Sequence, residues 1–315
     1  MDIDKIALEI LAVTEYTAIK ASAFMGKGDE IEAEKNAIKS MWDALKNFPF
    51  CGEVAIGEGL PGNIEHLFDG EKIGNCEKGD IRYSFAMKAI EGTTPCVTGG
   101  TNAISVIGIT RKGGIKPFPP VYMEKIAVGP DARDVISFDL SIEENIRRIA
   151  DKKGIPVEYL TAIVLDRPRN RNIIKSIRKA GARVKLIGDG DVAAAIATAI
   201  DGTGIDVLMG IGGAREGVIA ATALKGLGGE IIGKLWFRNE DQRIMARDYE
   251  LDHYAIYTTE NMVTGDSAFA ATGITDGDLL KGIKVVNGKI ITNSLVIDSI
   301  TRTFRKVESV REMRS

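Results

Sequence analysis

Acidic side chains stand beside glycines in four short segments of this 315-residue chain. The segments are Gly26-Lys27-Gly28-Asp29, Ile56-Gly57-Glu58-Gly59, Ile90-Glu91-Gly92-Thr93 and Gly210-Ile211-Gly212-Gly213-Ala214-Arg215-Glu216. Magnesium and manganese prefer oxygen ligands, commonly one or two carboxylates with water and substrate phosphates. Glycine lets the backbone approach an anion closely. Together the segments favour metal-assisted phosphoryl transfer, although each acid alone could equally cap a helix or lie in a solvated turn.

Histidine and cysteine are too scarce to carry the chemistry. The two histidines, His66 and His253, cannot form a zinc site without further ligands, and a serine–histidine–aspartate triad would need one of them as its base. The three cysteines are Cys51, Cys76 and Cys96. Their odd number and the absence of metal-ligand spacing predict reduced thiols in a cytoplasmic protein.

Charged turns follow three consecutive predicted strands in the middle of the chain. These turns contain Arg167 and Arg169, then Asp189 and Asp191, then Gly212 and Gly213. The carboxyl ends of parallel strands meet at one edge of a sheet, which is where ligands of α/β proteins bind. Guanidinium groups match phosphate oxygens, and a helix N-terminus after a glycine turn favours an anion. Each turn alone could be ordinary, but three in succession predict an anion site.

A dinucleotide site is the competing interpretation of the glycines. Gly210-Ile211-Gly212-Gly213 follows a predicted strand, and Glu230 lies close to where a ribose-binding acid is expected. The spacing is G-x-G-G instead of G-x-G-x-x-G, and Glu230 would begin the next strand instead of ending it. The pattern therefore favours a dinucleotide site less than an anion site.

The elements that must position these residues change in character along the chain. Residues 1–140 predict a mixed α/β lobe with helices over 4–25 and from Asp29 to Leu45, and strands that include 53–56 and 122–128. Residues 141–260 alternate helices and strands, which is typical of a parallel α/β sheet. Ser141 and Glu144 form a capping-box pattern before the first of these helices. Residues 261–315 predict antiparallel strands that return to the body.

The bulk composition excludes several classes of function. The chain is 44% hydrophobic and 27% charged, with a net charge of −3, as expected for a globular protein with a substantial core. This charge gives no basic field for nucleic acid. The start lacks the basic and then apolar pattern of a signal peptide, and no apolar run approaches the ~20 residues that cross a bilayer. We therefore expect a cytoplasmic protein without nucleic-acid or membrane partners.

Longer motifs in order along the chain carry a family resemblance. Besides the acidic segments they are Asn102-Ala103-Ile104-Ser105-Val106, Tyr122-Met123-Glu124-Lys125-Ile126-Ala127-Val128-Gly129-Pro130, Asp189-Gly190-Asp191-Val192 and Ala271-Thr272-Gly273-Ile274-Thr275-Asp276-Gly277-Asp278. From Val13 almost to the C-terminus the chain resembles the class II (GlpX-type) fructose-1,6-bisphosphatases. The resemblance implies the layered αβαβα sandwich of the lithium-sensitive phosphatases, a homo-oligomer (dimer or tetramer), and a role in gluconeogenesis and carbohydrate metabolism.

The resemblance also implies roles for individual residues. The activity would be Mg²⁺- or Mn²⁺-dependent hydrolysis of the 1-phosphate of fructose-1,6-bisphosphate, and in some lineages of sedoheptulose-1,7-bisphosphate. Implied metal ligands are Asp29, Glu58, Glu91 and Glu216, and implied catalytic residues are Thr93, Glu58 and Glu91. Implied substrate-binding residues are Tyr122, Glu124, Lys125, Arg167, Arg169, Asp189, Asp191, Gly212 and Gly213.

Three positions depart from the family pattern. Where the family has acids, this chain has Leu60 and Gly62 just after the second segment and Lys88 just before the third. An ammonium in place of a carboxylate near a divalent cation adds repulsion. Three interpretations stay open: a phosphatase that uses fewer metals, a non-hydrolytic sugar-phosphate-binding paralogue, and an enzyme for another phosphorylated ligand.

Overall fold

The chain alternates helices and strands, and a computed structural model describes residues 3–76 and 81–313. The helices are α1 (Ile3–Ser22), α2 (Glu30–Leu45), α3 (Thr93–Thr98), α4 (Ile142–Lys153), α5 (Arg171–Ala180), α6 (Asp191–Ala197), α7 (Ala214–Leu227), α8 (Glu240–Asp248) and α9 (Thr259–Met262). The strands are β1 (Gly52–Ile56), β2 (Lys72–Ile73), β3 (Tyr83–Glu91), β4 (Ile104–Arg111), β5 (Tyr122–Val128), β6 (Thr161–Leu165), β7 (Arg183–Ile187), β8 (Val207–Gly213), β9 (Glu230–Trp236), β10 (Ser267–Gly273), β11 (Lys284–Val286), β12 (Lys289–Asp298) and β13 (Thr303–Glu312).

The chain divides into two units that are not both continuous in sequence. The first unit comprises residues up to Lys116 and from Val263 onward, and the second unit comprises Pro117–Met262. Each unit contains a mixed β-sheet with helices packed on it, which confirms the expected α/β class.

The sheet of the first unit has the strand order β11-β12-β10-β4-β3-β1-β2, with β13 beside β12. β1 and β3 are parallel, whereas the pairs β3–β4, β4–β10 and β10–β12 are antiparallel. Helices α1 and α2 cover one face of this sheet. The predicted apolar face of α1 is buried there, with Ile6 and Ile10 fully inaccessible to solvent. Burial of this stripe, spaced at the helical period, is what fixes α1 on the sheet.

The sheet of the second unit has the order β7-β6-β8-β5-β9. β6 is parallel to β7 and β8, as expected, but β5 lies antiparallel between β8 and β9. Two expectations are corrected by this pairing: the sheet is mixed and not wholly parallel, and β5 belongs to the second unit although it was grouped with residues 1–140. The physical reason is that the backbone donors and acceptors of β5 are satisfied on both sides by strands that come later in the chain.

Helices cover both faces of the second sheet. α4 and α5 pack on the face that carries Ile126, and α7 packs on the face that carries Met123 and Lys125. The capping box predicted for α4 is present, because Ser141 Oγ accepts the Glu144 N–H and the Glu144 carboxylate accepts the Ser141 N–H. None of the helices in the described parts of the chain is long and apolar enough to cross a bilayer.

The cysteines differ from the sequence-based expectation. Cys51 and Cys76 form a disulfide, so the prediction of three reduced thiols is wrong; Cys96 is free and buried. The antiparallel pairing of β1 with β2, which places Gly52 opposite Ile73, brings the two flanking cysteines together. A separation of 25 residues along the chain carried no signal of this contact.

Candidate functional site

In the first unit, two predicted carboxylates lie at the carboxyl ends of neighbouring strands. β1 and β3 are parallel and adjacent, so Glu58, just after β1, and Glu91, the last residue of β3, belong to the same edge of the sheet. The Glu58 Oε1 accepts the backbone N–H of Ala89. Glu91 is buried, with 2% of its surface exposed. Burial of a carboxylate favours donors or cations around it, so this edge suits a cation-binding role.

Thr93 hydrogen-bonds an acid that the sequence analysis did not select. Thr93 Oγ1 donates to Glu34 Oε1 at 2.8 Å, and the neighbouring Thr94 donates to Glu30 at the same distance. Asp29, the predicted ligand, is exposed, and its Oδ1 accepts the N–H of Glu32 as the N-cap of α2. The acid beside Thr93 is therefore Glu34, and Asp29 fills the capping role that its sequence context also allowed.

The three altered positions provide no replacement carboxylate. Leu60 accepts the N–H of Asn63 in a tight turn, and Gly62 in that turn has φ +86° and is exposed. Positive φ is readily adopted by glycine and strained for an aspartate. Lys88 lies in β3, three residues before Glu91, in register with Val106. This end of β3 therefore carries a cation where the family pattern has an acid.

In the second unit, Tyr122 lies among arginines at the carboxyl edge of the sheet. The Cζ atoms of Arg169 and Arg238 are 4.4 and 4.6 Å from the centroid of its ring. Burial lowers the pKa of Arg169, and the charges of Arg167 and Arg238 lower it further. The Arg169 Nε donates to the carbonyl of Ile211 at 2.9 Å, which fixes its guanidinium. Like charges held this close favour the binding of an anion, and guanidinium groups suit phosphate.

Lys125 and Asp191 form a buried ion pair. The Lys125 Nζ lies 2.5 Å from Asp191 Oδ2 and donates to the Gly213 carbonyl at 2.9 Å. Only 3% of the Lys125 side chain and 6% of the Asp191 side chain are exposed. A Cβ on Gly212 would stand 2.1 Å from Asp191 Oδ2, so the pair requires glycine there. Two of the predicted substrate-binding side chains are thus bound to each other.

Glu124 faces the other side of the sheet from Lys125. Its carboxylate lies 3.0 Å from the Nζ of Lys234, its partner on β9, and Lys234 lies over the ring of Phe138 at 4.7 Å. These groups line a cavity of about 190 Å³ beside α4. The predicted cluster of Tyr122, Glu124 and Lys125 is therefore divided between two faces of β5, because successive side chains of a strand alternate.

Glu216 and Asp189 lie in turns at the same carboxyl edge. Glu216 is in the first turn of α7, and a Cβ on Gly213 would stand 1.8 Å from its Oε2, so the carboxylate folds back over Gly213. Asp189 Oδ1 accepts the N–H of Gly190, just before α6. Both acids thus follow parallel strands, as expected from their sequence positions.

The dinucleotide interpretation fails on the position of Glu230. Glu230 begins β9 opposite Val128, whereas Gly213 lies opposite Tyr122, at the other end of β5. The Glu230 Oε1 also accepts the N–H of Thr259, where α9 begins. An acid at the far edge of the sheet cannot reach a ribose bound at Gly210–Gly213.

Similarity to known proteins shows which family this chain belongs to. The family model of bacterial fructose-1,6-bisphosphatase, glpX-encoded, matches residues 4–311. The chain belongs to this family. A D-fructose 1,6-bisphosphatase class 2/sedoheptulose 1,7-bisphosphatase of Synechococcus sp. is 37% identical over 331 aligned positions, covering 98% of this chain and 95% of the relative. A protein of the same name from Synechocystis sp. is 36% identical over 329 positions, covering 97% and 95%.

The GlpX family of bisphosphatases is metal-dependent. This chain has oxygen donors of the type that such a metal prefers, but fewer of them than the family pattern. Within residues 3–76 and 81–313, no three acidic, histidine or cysteine side chains converge as a ready metal cluster. The first unit provides the carboxylates of Glu34, Glu58 and Glu91, a donor type that hard divalent cations prefer. Lys88 lowers the negative charge at the same strand end. The described residues therefore supply oxygen donors of the type that such a cation prefers, but fewer acids at this strand end than the GlpX pattern.

Sequence reasoning missed two residues, one in the candidate site of each unit. Arg238 follows β9, and its place beside Tyr122 depends on the pairing of Tyr122 with Trp236, which no local pattern reveals. Glu34 did leave a signal, because Glu30 and Glu34 are four residues apart and so share a helix face. That spacing could have identified the pair that Thr93 and Thr94 contact.

Proposed function

We propose that this GlpX-family chain hydrolyses the 1-phosphate of fructose-1,6-bisphosphate, with sedoheptulose-1,7-bisphosphate as a second substrate. The names of the two relatives and the match across residues 4–311 support this substrate class. The observation that carries the proposal is the placement of Arg169 and Arg238 over the ring of Tyr122, with the charge of Arg167 close enough to lower the pKa of Arg169. Three guanidinium groups at the ligand-binding edge of an α/β sheet suit a sugar phosphate better than a neutral sugar.

The reaction requires a water molecule to attack phosphorus while the bond from phosphorus to the sugar oxygen breaks and that oxygen takes up a proton. Because Thr93 Oγ1 donates its hydrogen to Glu34, its lone pairs are left to accept a hydrogen bond from the attacking water and orient it. Glu58 and Glu91 would hold Mg²⁺ or Mn²⁺ at the strand end of the first unit. The chemistry that the bound cation supplies is neutralisation of phosphate charge and a lower pKa of bound water.

A second candidate function, non-hydrolytic binding of a sugar phosphate, is favoured by Lys88. An ammonium at the end of β3 can pair with a phosphate oxygen directly. In that case the bisphosphate would bind equally well with and without a divalent cation.

Phosphate release from fructose-1,6-bisphosphate, across titrations of Mg²⁺ and Mn²⁺, tests the proposal. We expect cation-dependent release that is abolished in Glu91→Gln and unaffected in Glu158→Gln, a matched change at an exposed site. Absence of release, together with a cation-independent rise in melting temperature on adding the bisphosphate, would support the binding protein instead.

A further inference from the structure

β13 forms an edge of the sheet in the first unit. Among the described residues it pairs with β12 alone, from Thr303 opposite Asp298 to Glu312 opposite Lys289. In the same register, the Met313 N–H donates to the Gly288 carbonyl. Because amide directions alternate along a strand, odd-numbered residues of β13 bond to β12 and even-numbered residues turn their N–H and C=O groups outward. The edge is therefore a row of backbone groups available to another strand.

This edge is neither short nor interrupted, which are two of the features that block strand pairing. β13 is ten residues long and contains neither proline nor glycine, whereas the strand at the other end of the sheet order, β2, has two residues. Phe304 and Val310 on its even-numbered face are 46% and 56% exposed. Long exposed edges with apolar side chains are templates for a further strand unless charges oppose it.

The charges on the even-numbered face are self-complementary. We propose that β13 pairs antiparallel with β13 of a second copy of this chain, about a twofold axis through Val307. Lys306 then lies opposite Glu308 of the second copy, and Phe304 lies opposite Val310. Every one of these pairs is even with even, as the outward amides require, and each occurs twice because the interface is isologous.

Neighbouring registers are disfavoured by like charges. Moving the twofold axis by one residue places Lys306 opposite Lys306, or Glu308 opposite Glu308. Like charges directly opposite each other destabilise an antiparallel pair, and opposite charges stabilise it. The odd-numbered face does not interfere, because Arg311 on that face is paired with the buried Glu15 of α1. The charges of the edge thus disfavour the two registers that lie one residue away from the proposed one.

Sedimentation velocity of the full chain tests the pairing. We expect the unmodified chain to be dimeric, and Lys306→Glu and Glu308→Lys each to weaken the dimer roughly tenfold or more, since each change converts two symmetry-related pairs to like charges. The double variant Lys306→Glu/Glu308→Lys restores the pairs and the dimer. An equimolar mixture of the two single variants also restores it, because each charge then meets its opposite in the other chain.

The matched control is a variant in which the same change of charge is made far from β13. Lys175→Glu on α5 is exposed and should leave the dimer unchanged. Circular dichroism checks that each variant is folded. A monomeric unmodified chain would overturn the proposal, and so would an oligomer that neither single reversal weakens.

Discussion

The ammonium of Lys125 lies 2.5 Å from the carboxylate of Asp191, and both groups are almost wholly removed from solvent. The pair connects β5 to the first residue of α6, and through the Gly213 carbonyl to the end of β8. Removal of one member of a buried ion pair leaves the other charge uncompensated. The pair therefore holds the carboxyl edge of the second unit together.

Lys125→Met should lower the free energy of unfolding by about 3–5 kcal/mol, because Asp191 stays buried without its partner. Urea denaturation followed by circular dichroism measures this change. The double variant Lys125→Met/Asp191→Leu should recover much of the loss, since no unpaired charge is left. If the double variant is less stable than Lys125→Met, the pair is not the source of the effect.

Arg169→Ala should raise the KM for fructose-1,6-bisphosphate roughly tenfold or more while changing kcat less, since a hydrogen bond to a charged group contributes about 1.5–3 kcal/mol. Steady-state phosphate release gives both constants. Arg147→Ala, an exposed position on α4, is the matched control and should leave both unchanged. Equal effects of the two variants would argue against an anion site at Tyr122.

Lys88→Asp should increase the affinity for Mn²⁺ roughly tenfold or more, because a repulsive charge close to the cation is replaced by an attractive one. Isothermal titration calorimetry measures the affinity directly and does not depend on turnover. Lys112→Asp, at an exposed turn, makes the same charge change at a distance. An unchanged isotherm for Lys88→Asp would show that Lys88 does not oppose metal binding.

Replacement of both Cys51 and Cys76 by serine should lower the free energy of unfolding by about 3 kcal/mol, as expected for loss of a cross-link that closes a loop of moderate length. Treatment of the unmodified chain with a reductant should lower its melting temperature similarly. The buried thiol of Cys96 should not contribute, because burial raises its pKa to about 11 and keeps it protonated and unreactive at neutral pH. If a thiol reagent labels both Cys51 and Cys76 before any reductant is added, the disulfide is contradicted.

Local patterns in the sequence were sufficient for most elements. The apolar spacing in α1, the cap at Ser141 and the strand at Tyr122–Val128 each depend on neighbours a few residues apart, and each is confirmed. Contacts across long separations left no such pattern, which explains the missed Cys51–Cys76 disulfide and the insertion of β5 between β8 and β9.

The candidate site was predictable only in part, and for the same reason. Arginines after β6 were expected at the carboxyl edge, and Arg169 lies there beside Tyr122. The separation of Glu124 from Lys125 could have been predicted, because adjacent residues of a strand face opposite sides of the sheet. The position of Arg238 could not have been predicted, since it depends on which strand lies next to β5.

The division of the first unit into two chain segments has a consequence for synthesis on the ribosome. The second unit is continuous and has all its strands as soon as Met262 has emerged. The first unit must wait for residues 263–313, because β10 occupies the middle of its sheet beside β4. Until then the apolar strand β4 has an unsatisfied side, a state that invites aggregation. Nascent chains halted before β10 should therefore depend on chaperones far more than chains that have completed β12.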